Sequence, residues 1–434
     1  MFIAARPVAP LATHEMLVLL LQLGVLLGLA LLLGRLAVRL RMPAIVGELT
    51  AGVLVGPSLL AHAAPGLSAW LFPHDPAQQH LLDAVGLFGV LLLVGITGMH
   101  IDLDLVRRKG VTAAWVSAGG LIVPLAAGVG LGFLLPTSIA GDGRLVFALF
   151  MGVAMCVSAI PVISKILLEM RLLHRNIGQL IVSAAAVDDI AGWLMLSIVS
   201  AMATNGLRTG QVVLSVVYLV GVVAIAAFVG RPVVRNVLQF AGRSPDPGVR
   251  ISAAVAMLLL FAAGTHALGM EPIIGTFLGG ILIGASGLLD LEWLTPLRTL
   301  TLSVLAPIFF ATAGLRMDLT ALARPAVLLS AIGVLVVAVV GKFVGAYIGA
   351  RATRLHHWEG IALGAGLNAR GIIEVIVAMV GLRLGILGTE AYTIIVLIAV
   401  VTSLMAPPIL RYALRRIPVT AEEQERERVF TGSP

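Results

Sequence analysis

The chain has 434 residues, of which 59% are hydrophobic and only 12% charged, and its mean hydropathy is +1.06. That balance excludes a water-soluble globular domain and identifies a polytopic membrane protein. The formal net charge of +7 fits basic loops at a membrane surface and does not call for nucleic acid, while the single cysteine, Cys156, excludes an intrachain disulfide and a cysteine-rich metal site.

Met1–His14 lacks a basic segment and a small-residue cleavage site, so no cleavable signal peptide is expected. Apolar windows then predict thirteen membrane-spanning helices. In chain order they are Glu15–Val38, Ala44–Leu60, Leu81–Met99, Val111–Leu135, Leu145–Leu167, Ile177–Ala203, Gln211–Val229, Val249–Ala267, Glu271–Ala285, Leu300–Leu315, Ala326–Ala350, Gly360–Leu382 and Ala391–Leu414. Of 29 basic residues three are lysines, Lys109, Lys165 and Lys342. The loops reached after odd-numbered spans carry 21 basic residues and the opposite side six, Arg6, Arg144, Arg208, Arg316, Arg324 and Arg383. The positive-inside rule therefore places the amino terminus outside and the carboxyl terminus in the cytoplasm. The segment Pro418–Pro434 is read as a short cytoplasmic tail, too small for an ATPase or nucleotide-binding domain, and nothing resembles a Walker loop.

The sequence repeats itself. Ile45–Leu60 in span 2 echoes Ile273–Leu289 in span 9, and Leu91–Val106 in span 3 echoes Ile308–Ala323 in span 10, pairing Gly98 with Gly314 and Asp102 with Asp318. An offset of seven spans reverses the direction of crossing, so the halves are inverted repeats with span 7 as linker. Such repeats, with paired discontinuous helices crossing near the midplane, mark secondary transporters. The same offset relates span 5 to span 12. Span 5 carries Ser158, Ile160 and Pro161 at its middle, and the proline removes a backbone donor. Span 12 carries Asn368, Arg370, Gly371 and Glu374 at comparable depth. Both spans are expected to break there, turning half-helix ends toward an ion site.

Asp188 and Asp189 lie side by side near the middle of span 6, among Ile, Val, Ala, Leu and Met. An acid at the bilayer centre costs about 2.5–3.5 kcal/mol even on the lenient insertion scale. Lys342, near the middle of span 11, can neutralise only one of them. The other must hold a proton or a cation, and competition of the two for one carboxylate is sufficient for antiport. Arg370 and Glu374, four apart in span 12, suit an intrahelical ion pair that either serves the ion site or holds a broken helix together. His100, His266, His356 and His357 fall at span ends as surface residues, and Cys156 reads as a small packing residue. Gly341, Gly345 and Gly349 form a small-residue stripe beside Lys342 that permits close helix contact, within a protomer or between two.

The segments AAAVDDIAGW, PIFFATAGLRMDL, GKFVGAY and GLNARGIIEVIVA together resemble the monovalent cation:proton antiporter-2 family, the bacterial and plant sodium or potassium/proton exchangers, from about Glu15 to Leu414. The resemblance implies that Asp189 carries the cation and the proton, and that Asp188 pairs with Lys342. Members with an Asp-Asp pair and that lysine are electrogenic. It further implies a homodimer in the lipid of the inner membrane, with a mobile core moving as an elevator. Residues 15–135 would hold the first dimerisation helices and the start of the core, 144–203 and 326–414 the rest of the core, 211–229 the linker, 249–315 the second scaffold and 418–434 the tail. No cofactor is implied, since Na⁺ or K⁺ and H⁺ are cargo, bound by Asp189 with Ser158, Ile160 and Asn368 at the breaks. Two departures stand out. The large nucleotide-binding domain of the glutathione-gated potassium relatives has no counterpart here. Ser158-Ala159 also replaces a Thr-Ser pair, leaving one hydroxyl fewer. The competing readings are an electroneutral potassium efflux system, an exporter of an organic ion on the same fold, a cation channel and a sensor.

Overall fold

The computed structural model describes residues 13–40, 42–73, 75–99, 103–140, 143–170, 172, 175–205, 217, 221–222, 224–244, 246–268, 270–288, 294–421 and 423–424. Among them there are helices and no strand. The principal helices are α1 (Thr13–Arg39), α2 (Ala44–Val55), α3 (Pro76–Met99), α4 (Leu103–Leu134, kinked at Gly110), α5 (Arg144–Cys156), α6 (Ile160–Glu169), α7 (Asn176–Asn205), α8 (Arg231–Gly242), α9 (Pro247–Ala267) and α10 (Pro272–Ala285). They continue as α11 (Thr295–Leu315), α12 (Pro325–Ala352), α13 (His357–Leu367), α14 (Ile372–Arg383) and α15 (Thr389–Leu414). Nine helices of the described residues are long and apolar enough to cross a membrane. Windows 5 and 12 are each split between two shorter helices, and window 9 corresponds to the 14-residue α10. Most of window 7, together with His100 and Asp102, lies outside the described residues.

Local sequence sets the helix ends. Glu15 in the first turn of α1 and Arg39 in its last oppose the partial charges of the helix dipole. His356 and Glu359 close a capping box on α13, where the His356 ring accepts from the Trp358 N–H and Glu359 accepts from the His356 N–H. Both His356 and His357 are exposed, as is His266.

Glycines bring helix backbones together. A Cβ on Gly52 of α2 would lie 1.8 Å from the Ala311 carbonyl oxygen of α11, and one on Gly280 of α10 would lie 2.2 Å from the Gly95 carbonyl oxygen of α3. The stripe of α12 packs within the chain, on α4: Gly345 meets the Gly119 carbonyl, and Gly349 that of Trp115. This contact puts the buried Lys342 beside Gly120 and near Ser117. On the side of α12 away from Lys342, Val336, Val340, Val344 and Ile348 form an apolar face that is exposed among the described residues. Such a face is stable against lipid tails and unfavourable against water.

Beyond α15 the chain folds back on the start of α7. Arg175 donates to the carbonyls of Ile417 and Pro418, at 3.2 Å each, and pairs with Glu423. Glu423 also accepts the Asn176 N–H at 2.7 Å.

Candidate ion site at two broken helices

Both expected breaks are present. After α5 the backbone is extended at Val157 (φ −71°, ψ 143°), and α6 begins at Ile160. Pro161 is therefore the second residue of α6, where its missing N–H deprives the helix of nothing. After α13, Asn368 is the C-cap, and Gly371 (φ 157°, ψ −104°) leads into α14. A Cβ at Gly371 would approach Val162 to 2.8 Å, so backbone and space both call for glycine. The two breaks abut, with the Ser158 hydroxyl 3.0 Å from the Leu367 carbonyl.

Asp188 on α7 is fully buried and fully engaged. Lys342 Nζ donates to its Oδ2 at 2.7 Å, Ser158 Oγ to the same oxygen at 2.7 Å, and Ser117 Oγ to Oδ1 at 2.5 Å. Ser158 has one proton and two acceptors in reach, so it serves Asp188 or Leu367 at any moment. Lys342 also donates to the Cys156 carbonyl at 2.6 Å.

Asp189 differs. It is equally buried, yet neither carboxylate oxygen receives a hydrogen bond of ordinary geometry. The Ile160 N–H, at the positive end of α6, is the backbone donor directed at it. Ile160 thus meets Asp189 through its N–H. Asn368 is buried with both amide atoms unpartnered. Unpartnered buried polar atoms are rare. Here they include a carboxylate and an amide oxygen, the hard donors that an alkali cation takes.

Arg370 pairs with Glu374 at 2.7 Å, as its spacing implied. It also reaches across to α5, donating to the carbonyls of Ala154 (3.2 Å) and Met155 (2.5 Å), and to Ala338 on α12 (3.2 Å). With Lys342 on Cys156, two cations close the carboxyl end of α5, where backbone carbonyls lack helical partners and the dipole is negative. Ser403 on α15 holds the Arg370 carbonyl. The buried carboxyl and basic side chains grouped here are three carboxyls, Asp188, Asp189 and Glu374, and two basic groups, Lys342 and Arg370. With every group ionised, the cluster would lack one positive charge.

The transmembrane sodium/hydrogen exchanger family matches residues 26–416. The chain belongs to that family. It is 31% identical over 407 residues to the Na⁺/H⁺ antiporter NhaS4 of Synechocystis, covering 92% of this chain and 97% of that one. It is 30% identical over 394 residues to cation/H⁺ antiporter 18 of Arabidopsis thaliana, covering 90% of this chain and 48% of the relative, so the chain spans about half the length of that plant protein. The sodium/proton antiporter MjNhaP1 of Methanocaldococcus jannaschii shares the fold, with a TM-score of 0.68 at 16% identity over 92% of this chain and 99% of that chain. This exchanger is thus a multi-pass membrane protein, as its composition and motifs indicated.

Motif reading brought Asp188, Asp189, Lys342, Ser158, Asn368, Arg370 and Glu374 to one region, and they are found at the two breaks. It missed Ser117, a serine in an apolar helix with no local mark beyond its place on the glycine face of α4. It also missed Ser403, and the carbonyls that Arg370 holds.

Proposed function

We propose that this exchanger is a secondary antiporter moving Na⁺ or K⁺ against protons, with Asp189 as the carrier. One observation carries the reading: of two adjacent buried acids on a membrane helix, Asp188 is fully partnered and Asp189 is not. An unpaired charge in a dry interior is untenable, so Asp189 alternates between a proton and a cation. One carboxylate with the neutral oxygens of Ser158 and Asn368 suits a monovalent ion. When the cation occupies Asp189, the Asp188–Lys342 pair opens and Lys342 gives up a second proton. Two protons per cation make the exchange electrogenic.

The architectural part of the proposal is thirteen spans in inverted repeats, with the two broken helices crossing. The packing supports it: α2 meets α11 through Gly52 and Gly314, and its repeat mate α10 meets α3 through Gly280 and Gly95. Each pair joins the first element of one repeat to the second of the other. The amino terminus lies outside and the carboxyl terminus in the cytoplasm, in the inner membrane. In support, Arg316, Arg324 and Arg383 on the outer side are neutralised by Asp83, Glu390 and Glu271, which leaves the basic excess inside. Two protomers associate, and the core containing 144–203 and 326–414 moves as an elevator within each.

Asp189→Asn tests the site. An amide cannot cycle between protonated and cation-bound forms, yet is cheaper to bury than a charge. The variant is expected to insert and fold but to show no cation-driven proton flux in liposomes carrying a pH dye. Near-normal flux would remove Asp189 from the mechanism.

A further inference from the structure

Trp193 lies one helical turn beyond Asp189 on α7, about 6 Å along the axis, on the same face. Its side chain is 1% exposed and its indole N–H has no hydrogen-bond partner. A buried N–H left unpaired is destabilising, and the ion-pair network around Asp188 makes no use of it. The ring leans on Phe277 of α10, with centroids 6.0 Å apart and planes at 48°. The two rings sit on helices with different packing partners. Phe277 belongs to a stretch clamped on α3, where a Cβ on Gly98 would lie 2.6 Å from the Phe277 carbonyl oxygen. Trp193 follows Gly192, which presses on the unwound stretch at Val157 so closely that a Cβ would meet that side chain at 2.8 Å.

We propose that Trp193 is a positioning residue for the transported ion: with Phe277 it forms an aromatic seal on the carboxyl-terminal side of Asp189, and its indole N–H is the polar contact met by water accompanying the ion. The proposal rests on Asp189 being the carrier. It assigns the free N–H a partner that is present only while the path is wet. The rings separate when α7 shifts against α10, which opens Asp189 to the side where α7 ends, the outer side in the orientation proposed above. In the closed arrangement their contact keeps that side dry and blocks uncoupled protons.

Two variants test this in right-side-out and everted membrane vesicles, reading cation-driven proton flux with a pH dye and Na⁺ or K⁺ as the probe. Trp193→Phe keeps a ring against Phe277 and deletes only the N–H. It is expected to raise the half-saturating cation concentration about two- to tenfold, the range of one hydrogen bond, from the outer face alone and with maximal rate unchanged. Phe277→Leu is expected to let protons leak without cation. An equal shift from both faces, or no shift and no leak, overturns the seal. If Trp193→Phe does not fold, the Phe277→Leu leak decides alone. Normal exchange by Asp189→Asn would instead sink the carrier assignment, whatever Trp193 does.

Discussion

Replacing Lys342 with Gln tests the electrostatics and the stoichiometry together. The ammonium sits 2.7 Å from Asp188 Oδ2 and neither side chain reaches solvent, so water does not screen the pair. Removing one member of such a pair costs about 3–5 kcal/mol. A glutamine amide that still reaches one acceptor returns about 1 kcal/mol, leaving a net loss of roughly 2–4 kcal/mol. Ser117 already donates to Asp188, and Ser158, shared between Asp188 and the Leu367 carbonyl, can return no more than part of one hydrogen bond when the lysine goes. Asp188→Asn combined with Lys342→Gln removes both charges, so the double variant is expected to be more stable than the sum of the single losses predicts. Thermal unfolding in detergent of the three variants measures this coupling. In liposomes, Lys342→Gln is expected to keep exchange while losing its response to an imposed membrane potential. Wild-type exchange indifferent to potential would refute the two-proton scheme and leave Lys342 a structural counter-ion. Strictly additive stabilities would refute the pairing itself.

Three further outcomes follow from the same geometry. Asn368→Ala and Ser158→Ala are each expected to raise the half-saturating cation concentration about tenfold, the value of one contact to a charged group. Only Ser158→Ala is expected to lower the melting temperature, because Asn368 makes no side-chain hydrogen bond to lose; unchanged half-saturation in both would move the ion elsewhere. Gly345→Ala places a Cβ 2.1 Å from the Gly119 carbonyl oxygen, whereas Gly333 on the same helix has nothing within 4 Å. Transport is therefore expected to be lost in Gly345→Ala and kept in Gly333→Ala, with both inserted, and equal rates would show that α4 and α12 tolerate separation. Burial works against charge on Glu423, but the N–H groups of Thr420 and Asn176 and the Arg175 guanidinium outweigh it and hold its carboxyl below the usual glutamate range. A depressed value in the folded state gives stability that is present above the unfolded value and lost as pH falls through the folded one. Glu423→Gln is thus expected to be less stable than wild type at neutral pH and indistinguishable in acid below the depressed value, and a melting difference that persists in acid would contradict the linkage.

The parts of this architecture that could be read in advance are those that violate the apolar background. Asp188, Asp189 and Lys342 are charges where charge is costly, and Ser158-Ala159-Ile160-Pro161 and Asn368 to Gly371 interrupt otherwise continuous apolar runs, so each announces itself without a partner in view. Arg370 and Glu374 were legible as a pair because helical spacing joins them. The carbonyls of Ala154, Met155 and Ala338 that Arg370 also holds were not, since every residue has a carbonyl and nothing local distinguishes those three. The glycine stripe of α12 declared close contact but not its partner, because Gly119 on α4 is one glycine among many. The hold of Arg175 on Ile417, Pro418 and Glu423 joins segments separated by 242 residues or more, whose proximity only tertiary folding creates.

The bare face of α12 has a consequence for how the membrane enters the chemistry. Val336, Val340, Val344 and Ile348 point away from the chain, while Lys342 points inward from the same helix. With side chains an α-helix is about 10 Å across, so a single helix thickness separates the Lys342–Asp188 pair from the acyl chains. At that range the field of the pair extends into the hydrocarbon, a medium that damps it little. Lipid is therefore part of the dielectric surroundings of the pair, and water admitted along this helix weakens the attraction between the two charges. Thin bilayers and detergent micelles are expected to admit more such water than long-chain bilayers. The turnover of one unchanged amino-acid sequence is thereby expected to vary with the acyl length of its host membrane.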